Sequence, residues 1–368
     1  MAIHLVTGAT GFVGGALVLE LLDRTNDEII GLTRPAGGDA NARLMASLRT
    51  AAEAYGRAPE DLPLHRVRAV AGDVTLPECG VDGALRAHVL WHAAASLRYE
   101  DRYADEIRST NVDGTRQALA LARRAGVEVV NQISTAYVSG SRQGRIHEEH
   151  YDDAGAQNHY ERSKVAAEDL VRNASGMLAR ILRPSIVVGH SRTLGATTFT
   201  GLYGFTRQFL QYRGVLERVQ AGMYATRRMR LRVSADAPID FIAVDAVAAQ
   251  AVAIGLSDAP SGVYHLTQGE GCPPIGDSIR IVAKELGFAE PEFAAPDEPL
   301  DWLDEQLDKR LDFYGSYVRG HRIFDRSRAE SALGNRPELR RPLPPVGELA
   351  AWYIRRLEDE RRQMPVVR

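Results

Sequence analysis

A tyrosine and a lysine four residues apart give the strongest chemical signal in this sequence. Tyr160 and Lys164 share a face if their segment is helical, and Asn158 with Glu161 three residues later resembles a capping box that would start such a helix. A free tyrosine has a pKa of about 10, and a nearby ammonium group favours its phenolate. The pair predicts an acid–base catalyst in which Lys164 lowers the tyrosine pKa and reaches a ribose hydroxyl. The alternative is an ordinary surface pair.

Two hydroxyl residues, Ser134 and Thr135, close a predicted strand upstream of this pair. A hydroxyl at the carboxyl end of a strand can donate a hydrogen bond to a substrate carbonyl and stabilise the oxyanion that forms on hydride attack. Spacing alone allows either residue to do so. The alternative is that these hydroxyls only cap the backbone.

A glycine-rich run lies at the start of the chain, between the first predicted strand and the first predicted helix. Its glycines allow a tight turn and close approach of the backbone to a pyrophosphate, and the following helix N-terminus favours phosphate. Their spacing is G-x-x-G-x-x-G, and a ligand-free turn is the alternative. The candidate cofactor contacts in this run are Thr7, Gly8, Thr10, Gly11, Phe12, Val13 and Gly14.

Further cofactor contacts are expected at the ends of the next strands. Arg34 stands 20 residues after the last glycine, where an acidic residue would favour NAD and an arginine favours the 2′-phosphate of NADP. The sequence therefore predicts NADP(H). Asp73, followed by Val74, could accept from the adenine amino group or simply cap a turn. The small residues Ala93, Ala94 and Ala95 would let the backbone lie against the cofactor, and the preceding His92 fits a packed histidine better than a catalytic one.

The elements that must position these residues alternate between strand and helix. Strands are predicted at 3–6, 28–33, 66–71, 88–92, 127–133 and 179–182, and helices at 12–23, 40–54, 104–125 and 159–174. This alternation indicates an α/β fold, a Rossmann-type doubly wound parallel sheet that binds ligands at the carboxyl ends of its strands.

The regular alternation of strands and helices does not continue in the later part of the chain. We expect an NADP-binding domain at 1–184, to which 235–262 returns with a strand at 239–244 and a helix at 245–256. Residues 185–234 and 263–368 would form a smaller, discontinuous and mostly helical substrate-binding cap. A ligand site is expected in the cleft between the two.

Composition narrows the class of protein. The 368 residues carry a formal charge of −3, which argues against nucleic acid as the main partner. Two cysteines make neither a disulfide framework nor a cysteine-ligated zinc site, and no metal site is predicted. The sequence shows no secretory signal pattern and no membrane span, so the cytoplasm is expected. The oligomeric state is left open.

Together these motifs resemble the extended short-chain dehydrogenase/reductases. Residues 111–115 (NVDGT), Arg183-Pro184 and Val187-Val188-Gly189 add to the likeness, which covers residues 1 to about 270. The resemblance implies that Tyr160 is the general acid–base, that Lys164 holds the ribose, and that Thr135 takes the Ser/Thr position that polarises the carbonyl. It also implies that Ser134, Pro184 and Ile186 contact the cofactor.

Within that group, the chain is similar to the thioester reductases, which include fatty acyl-CoA reductases and peptide-synthetase release domains. The likeness is carried by residues 32–35 (LTRP), the Ala42-Arg43-Leu44 pattern, 189–193 (GHSRT) and 238–245 (PIDFIAVD). It implies that Arg43 joins Arg34 at the 2′-phosphate. The implied reaction is NADPH-dependent reduction of a thioester, on CoA or an acyl or peptidyl carrier protein, to an aldehyde or further to an alcohol.

Two rival functions remain open. One keeps the same machinery for a ketone, an alcohol or a nucleotide-sugar, as a dehydrogenase, epimerase or dehydratase. The other is a non-catalytic NADP-sensing protein, although such a protein usually loses the Tyr–Lys pair.

A basic segment in the predicted cap suggests a site for the donor. Residues 207–232 hold seven arginines and one glutamate, so this segment could border an entrance for a phosphopantetheine-linked acyl chain, or be a solvated flap. Six aromatic residues in or near this segment could line an acyl or aromatic pocket or form cap core: Phe199, Tyr203, Phe205, Phe209, Tyr212 and Tyr224.

Overall fold

The fold was obtained as a computed structural model that describes residues 1–35, 38–295, 297–318 and 320–363. The last five residues of the expected cap, 364–368, lie outside this range. The strands are β1 (Ile3–Thr7), β2 (Glu28–Thr33), β3 (Val67–Ala71), β4 (Val89–His92), β5 (Val129–Ile133), β6 (Gly144–Ile146), β7 (Leu178–Pro184), β8 (Ile186–Val188), β9 (Arg230–Arg232), β10 (Phe241–Ala243), β11 (Gly262–Leu266), β12 (Glu292–Ala294) and β13 (Arg322–Phe324).

Helices connect and cover these strands. They are α1 (Phe12–Arg24), α2 (Ala40–Ala54), α3 (Ala104–Arg108), α4 (Gly114–Ala125), α5 (His159–Arg172), α6 (Leu202–Val219), α7 (Met223–Thr226), α8 (Val244–Gly255), α9 (Ile275–Glu285), α10 (Trp302–Arg310), α11 (Asp312–Val318), α12 (Ser327–Leu333) and α13 (Val346–Gln363). Within the described ranges, no helix combines the length and apolar character that crossing a membrane requires.

A seven-stranded parallel sheet forms the larger part of the molecule, in the order β11-β7-β5-β4-β1-β2-β3. The strands are rich in buried apolar residues because helices cover both faces: α1, α2 and α8 contribute to the core on one side and α4 and α5 to the core on the other. The strand order reverses between β1 and β4. This switch point opens a crevice at the carboxyl ends of the strands, and the predicted doubly wound fold is confirmed.

Three details differ from the expectation. The predicted helix 104–125 is interrupted, because a π-helical turn at Ser109–Asp113 separates α3 from α4. The strand expected to return to the sheet, β10, instead pairs with β8 in a separate two-stranded parallel sheet. The seventh strand of the main sheet is β11, which pairs with β7, so the expected start of the cap at residue 263 falls inside a strand of the sheet.

A second layer covers the crevice. It contains α6, α7, α9, α10, α11, α13 and the β9–β12 pair, which share a hydrophobic core of their own. Fully buried aromatic side chains of α6 lie at the centre of this core, including Phe209 and Tyr212. This layer is therefore stabilised largely by its own apolar contacts while it faces the carboxyl ends of the sheet.

Candidate active site

The glycine loop after β1 has the close-packed geometry that a phosphate cradle requires. Gly8 has φ +71°, and its carbonyl accepts a hydrogen bond from the Gly11 N–H at 2.8 Å. A Cβ on Gly14 would lie 2.0 Å from the Gly8 oxygen, and one on Gly8 would lie 2.7 Å from the Ala93 backbone. Helix α1 then begins without a side-chain cap at Gly11. Its first N–H groups are left facing the crevice, as an anion site needs.

A buried hydrogen-bond chain fixes the floor of this loop. The Thr7 hydroxyl contacts His92 Nδ1 at 2.8 Å, and His92 Nε2 contacts the Thr115 hydroxyl at 3.0 Å. The Ala94 N–H donates to the Thr7 hydroxyl at 3.2 Å. Burial lowers the pKa of His92 to about 3, so the ring is neutral. His92 is thus a packed histidine, and Thr7 acts by joining β1 to the start of the alanine run.

Helix α5 carries the Tyr–Lys pair and starts as the sequence predicts. The Asn158 side chain accepts from the Glu161 N–H at 2.8 Å. The Glu161 carboxylate accepts from the Gln157 N–H at 2.7 Å and from the Asn158 amide at 3.1 Å. This reciprocal cap fixes the first turn, and Tyr160 lies within that turn.

The electrostatics of the pair differ from the expectation. Lys164 is buried, and its Nζ donates to the Ile133 carbonyl at 2.7 Å. Burial lowers the pKa of this lysine to about 8, with the Glu168 carboxylate opposing the shift. The pKa of Tyr160 is raised, first by burial and then by the charge of Glu161. In this structure desolvation outweighs any effect of Lys164, so the expected lowering of the tyrosine pKa is not seen.

The two hydroxyls after β5 have different surroundings. The Ser134 hydroxyl donates to the Glu168 carboxylate, which also forms a fully buried ion pair with Arg183 at 2.6 Å. The Thr135 hydroxyl accepts from the Tyr137 N–H at 3.2 Å, an interaction that leaves its own O–H free to donate elsewhere. Thr135 therefore suits the carbonyl-binding role better than Ser134.

A residue that the sequence analysis quoted only within a motif holds this region together. The Asn111 side chain exchanges hydrogen bonds with the Ser96 backbone and donates to the Ser163 hydroxyl at 2.8 Å. Ser163 in turn donates to the Tyr160 carbonyl at 2.7 Å. Asn111 lies in the π-helical turn, which places its side-chain amide between Ser96, in the loop after β4, and helix α5. π-helical turns are frequent at functional sites, so this turn would have drawn attention to Asn111. The spacing of apolar residues in the segment does not reveal the turn, however.

Four of the predicted residues were expected to contact the adenosine half of a dinucleotide cofactor: Arg34, Arg43, Asp73 and Val74. Arg34 and Arg43 are both exposed and adjacent, since Arg43 Nη1 donates to the Arg34 carbonyl at 3.0 Å. Asp73 accepts from the Thr75 N–H at 2.9 Å and from its hydroxyl at 2.8 Å. The turn-capping role of Asp73 is thus present, whereas an adenine contact stays a prediction. Val74 is buried in the core beneath the sheet.

One cavity of about 500 Å³ unites most of the predicted site. The predicted residues that line it are Gly8, Gly11, Phe12, Val13, Gly14, Ala93, Ala95, Ser134, Thr135, Tyr160, Lys164, Pro184 and Ile186. The predicted contacts that lie outside its lining are Thr7, Thr10, Arg34, Arg43, Asp73, Val74 and Ala94. The cavity thus joins the glycine loop to the Tyr–Lys pair in a single chamber.

The opposite wall of this cavity comes from the second layer of the structure. Six aromatic residues were expected to line a pocket or form a core. Phe199 and Phe205 line the cavity, Tyr203, Phe209 and Tyr212 are fully buried elsewhere, and Tyr224 packs partly buried against the core of the second layer. The sequence analysis missed Tyr137, Tyr317 and the inner face of α9, all of which also line the cavity. Tyr137 and Tyr317 pack edge to face with ring centres 4.4 Å apart. Only the tertiary fold brings these distant segments together.

The basic segment does not form an open positive surface. Four of its arginines make ion pairs with acidic residues farther along the chain: Arg227 with Asp301 and Asp304, Arg228 with Glu292, Arg230 with Glu298, and Arg232 with Asp308. Arg207 and Arg213 hydrogen-bond to the hydroxyls of Tyr353 and Tyr224. These pairs, whose partners are remote in sequence, neutralise much of the charge and argue against a basic entrance, which stays a hypothesis.

Comparison with known sequences places these features in a family. The family model described as male sterility protein, an NAD-binding family, matches residues 6–251. Among curated proteins, a linear gramicidin synthase from Brevibacillus parabrevis is 29% identical over 51% of this chain. An isonitrile lipopeptide synthase from Mycobacterium tuberculosis is 26% identical over 96% of the chain, and fatty acyl-CoA reductase 1 from Gallus gallus is 27% identical over 66%. The chain spans 4%, 14% and 52% of these relatives' own lengths.

Solved structures share the same architecture. The terminal R domain from the myxalamid PKS-NRPS biosynthetic pathway superposes with a TM-score of 0.73 at 25% identity, covering 98% of this chain and 92% of that one. A UDP-glucuronic acid 4-epimerase from Bacillus cereus in complex with NAD gives a TM-score of 0.63 at 17% identity, over 96% of this chain and 99% of that one. The second likeness concerns the fold alone.

Proposed function

Because this chain belongs to the male sterility protein family of NAD-binding oxidoreductases, we propose that it uses NADPH to reduce a CoA- or carrier-bound acyl thioester to an aldehyde. The observation that carries the proposal is the single cavity in which Thr135, Tyr160 and Lys164 lie between the glycine loop and an apolar wall. Similarity to a fatty acyl-CoA reductase and to a peptide-synthetase R domain supports a thioester as the substrate.

The site fits a nicotinamide dinucleotide. The space beside Gly8 and Gly14 is so narrow that a Cβ would fill it, and the uncapped start of α1 offers N–H groups to a pyrophosphate. Lys164, at the nicotinamide end, would hold the ribose. Arg34 and Arg43 form an exposed basic pair that would bind a 2′-phosphate, which supports NADPH over NADH.

The side chains can carry out the proton chemistry of reduction. The Thr135 hydroxyl and the Tyr160 phenol would both donate hydrogen bonds to the thioester carbonyl. The nicotinamide, when bound, supplies the hydride to the carbonyl carbon. Tyr160 would give its proton to the oxyanion that results, and its raised pKa keeps that proton in place beforehand. The resulting hemithioacetal then loses the thiol to leave the aldehyde, so thioester, NADPH and one proton become aldehyde, thiol and NADP⁺.

The two layers divide these tasks. We assign cofactor binding to residues 1–184 and 235–266, with β11 included, and substrate binding to residues 185–234 and the segment from 267 onward. A nucleotide-sugar is the weaker candidate, because the wall that the second layer contributes is mostly apolar and offers few partners for sugar hydroxyls.

A substrate panel tests the proposal. Acyl-CoA thioesters, carrier-bound thioesters, ketones and nucleotide-sugars are each incubated with NADPH, and both NADPH consumption and the carbon product are measured. We expect a thioester to give an aldehyde, or an alcohol after a second round, and NADH to be a poor substitute. Reduction of ketones alone would contradict the thioester assignment, and a clear preference for NADH would contradict the role of Arg34.

A further inference from the structure

The wall that the second layer contributes to the cavity carries no charged side chain in the part of the chain that the structure describes. Every lining residue contributed by 198–205, 239–241, 275–282 and 314–318 is apolar, aromatic, a glycine or a neutral hydroxyl residue. Among the lining residues that the structure describes, Lys164 is the one charged side chain. A charged group moved to this wall would lose its hydration without gaining a partner, which is strongly unfavourable.

Helix α9 closes the cavity on that side. Its inner face presents Ile275, Ser278, Ile279 and Val282, all buried, to the cavity. Ile281 lies on the other face of the same helix and is 38% exposed. The wall is a single helix thick, since Ser278 also borders an outer groove that Leu343 and Gly347 line.

We propose that α9 is the end wall of an acyl pocket, and that the pocket takes an uncharged, apolar acyl group whose length Ile279 and Val282 limit. This inference rests on the proposed function where it identifies the ligand as an acyl group. The pocket itself follows from the residues that line the cavity. Each methylene of a suitable chain gains about fourfold in affinity by leaving water, until the chain meets these side chains.

Binding of unreactive amides tests the pocket without relying on turnover. Butanamide, octanamide and succinamate, in which a carboxylate replaces the terminal methyl group of butanamide, are titrated into the protein by calorimetry in the presence of NADP⁺. We expect octanamide to bind at least about tenfold more tightly than butanamide, and succinamate to bind more weakly than butanamide. Equal affinity for succinamate and butanamide would overturn the proposal.

Two matched variants of α9 identify the wall. Val282→Phe fills the inner end and should weaken octanamide binding by about tenfold or more while butanamide changes less than about threefold. Ile281→Phe adds the same ring on the exposed face and should change neither. Ile279→Ala lengthens the pocket and should extend the gain in affinity to dodecanamide, and circular dichroism checks that each variant is folded. If Val282→Phe and Ile281→Phe behave alike, α9 is not the wall.

Activity separates this inference from the proposed function. If amides bind as expected but no thioester is reduced, the proposed function fails and the pocket stands. If thioesters are reduced but the profile across butanoyl-, octanoyl- and hexadecanoyl-CoA is the same in Val282→Phe as in the wild type, the wall assignment fails and the function stands.

Discussion

At the scale of single residues, the site is tuned for proton donation. The phenol of Tyr160 has a raised pKa because it is buried beside the Glu161 carboxyl group, so it stays protonated at neutral pH. A reductase needs its acid protonated before the hydride arrives. Desolvation thus opposes phenolate formation in this structure, whereas the residue types alone suggested a phenolate-promoting pair.

Tyr160→Phe tests this role while preserving the ring. Removal of the hydroxyl should lower kcat by about 10² to 10⁴-fold, because no other group would protonate the oxyanion. NADPH affinity, measured by fluorescence titration, should change little. Tyr137→Phe removes a second hydroxyl from the same cavity and should cost less than about tenfold. Nearly full turnover in Tyr160→Phe would assign the proton to another group.

Cofactor binding should depend on pH through Lys164. Burial lowers the pKa of this lysine to about 8, so the ammonium group is present below that pH and is lost above it. The affinity for NADPH should therefore fall as pH rises through about 8, because a neutral amine holds the ribose less well. Lys164→Met should bind weakly at every pH in this range, and Tyr160→Phe should keep the wild-type dependence. A flat wild-type profile would show that the ammonium group does not contribute.

At the scale of elements, local patterns predicted the main sheet and its helices but not the exceptions. The periodicity around β1, α1, β2 and α5 was sufficient because each element buries its own apolar face. The π-helical turn at Ser109–Asp113 has no such signature, since it is held by hydrogen bonds from Asn111 to residues 15 and 52 positions away. Similarly, the glycine loop was predictable from local sequence, but the α9 wall of the cavity depends on tertiary packing.

The first turn of α5 is an element whose stability bears on catalysis. Asn158→Ala removes the cap that the Glu161 N–H uses and should lower the free energy of unfolding by about 1 kcal/mol. It should also lower kcat, because Tyr160 lies in that turn. Asn158→Ser restores a capping oxygen and should recover both quantities, measured by urea denaturation and NADPH oxidation. A stable but equally slow Asn158→Ser variant would mean that the Asn158 amide acts other than as a cap.

At the scale of the whole molecule, arginines of one segment are paired with acidic residues that are distant in sequence. The composition of the segment does not show these pairs. A surplus of arginine in 207–232 suggested a binding surface, yet its ion-pair partners lie 64 to 77 residues away. Such pairs join β9 and the residues just before it to α10 and to the segment around β12 in the second layer. No local pattern in the sequence specifies them, because the fold alone brings the two segments into contact.

Neighbouring arginines should therefore differ in importance. Arg227 is 16% exposed and bridges Asp301 at 2.6 Å and the buried Asp304 at 2.7 Å, so Arg227→Ala leaves a buried carboxylate unpaired and should cost about 3–5 kcal/mol. Arg228 is 64% exposed and pairs with Glu292 at 3.3 Å, so Arg228→Ala should cost less than about 1 kcal/mol. Urea denaturation of both variants measures the difference. Equal losses would contradict the importance given to burial, and a selective rise in KM for a thioester donor in both variants would support the basic-entrance hypothesis.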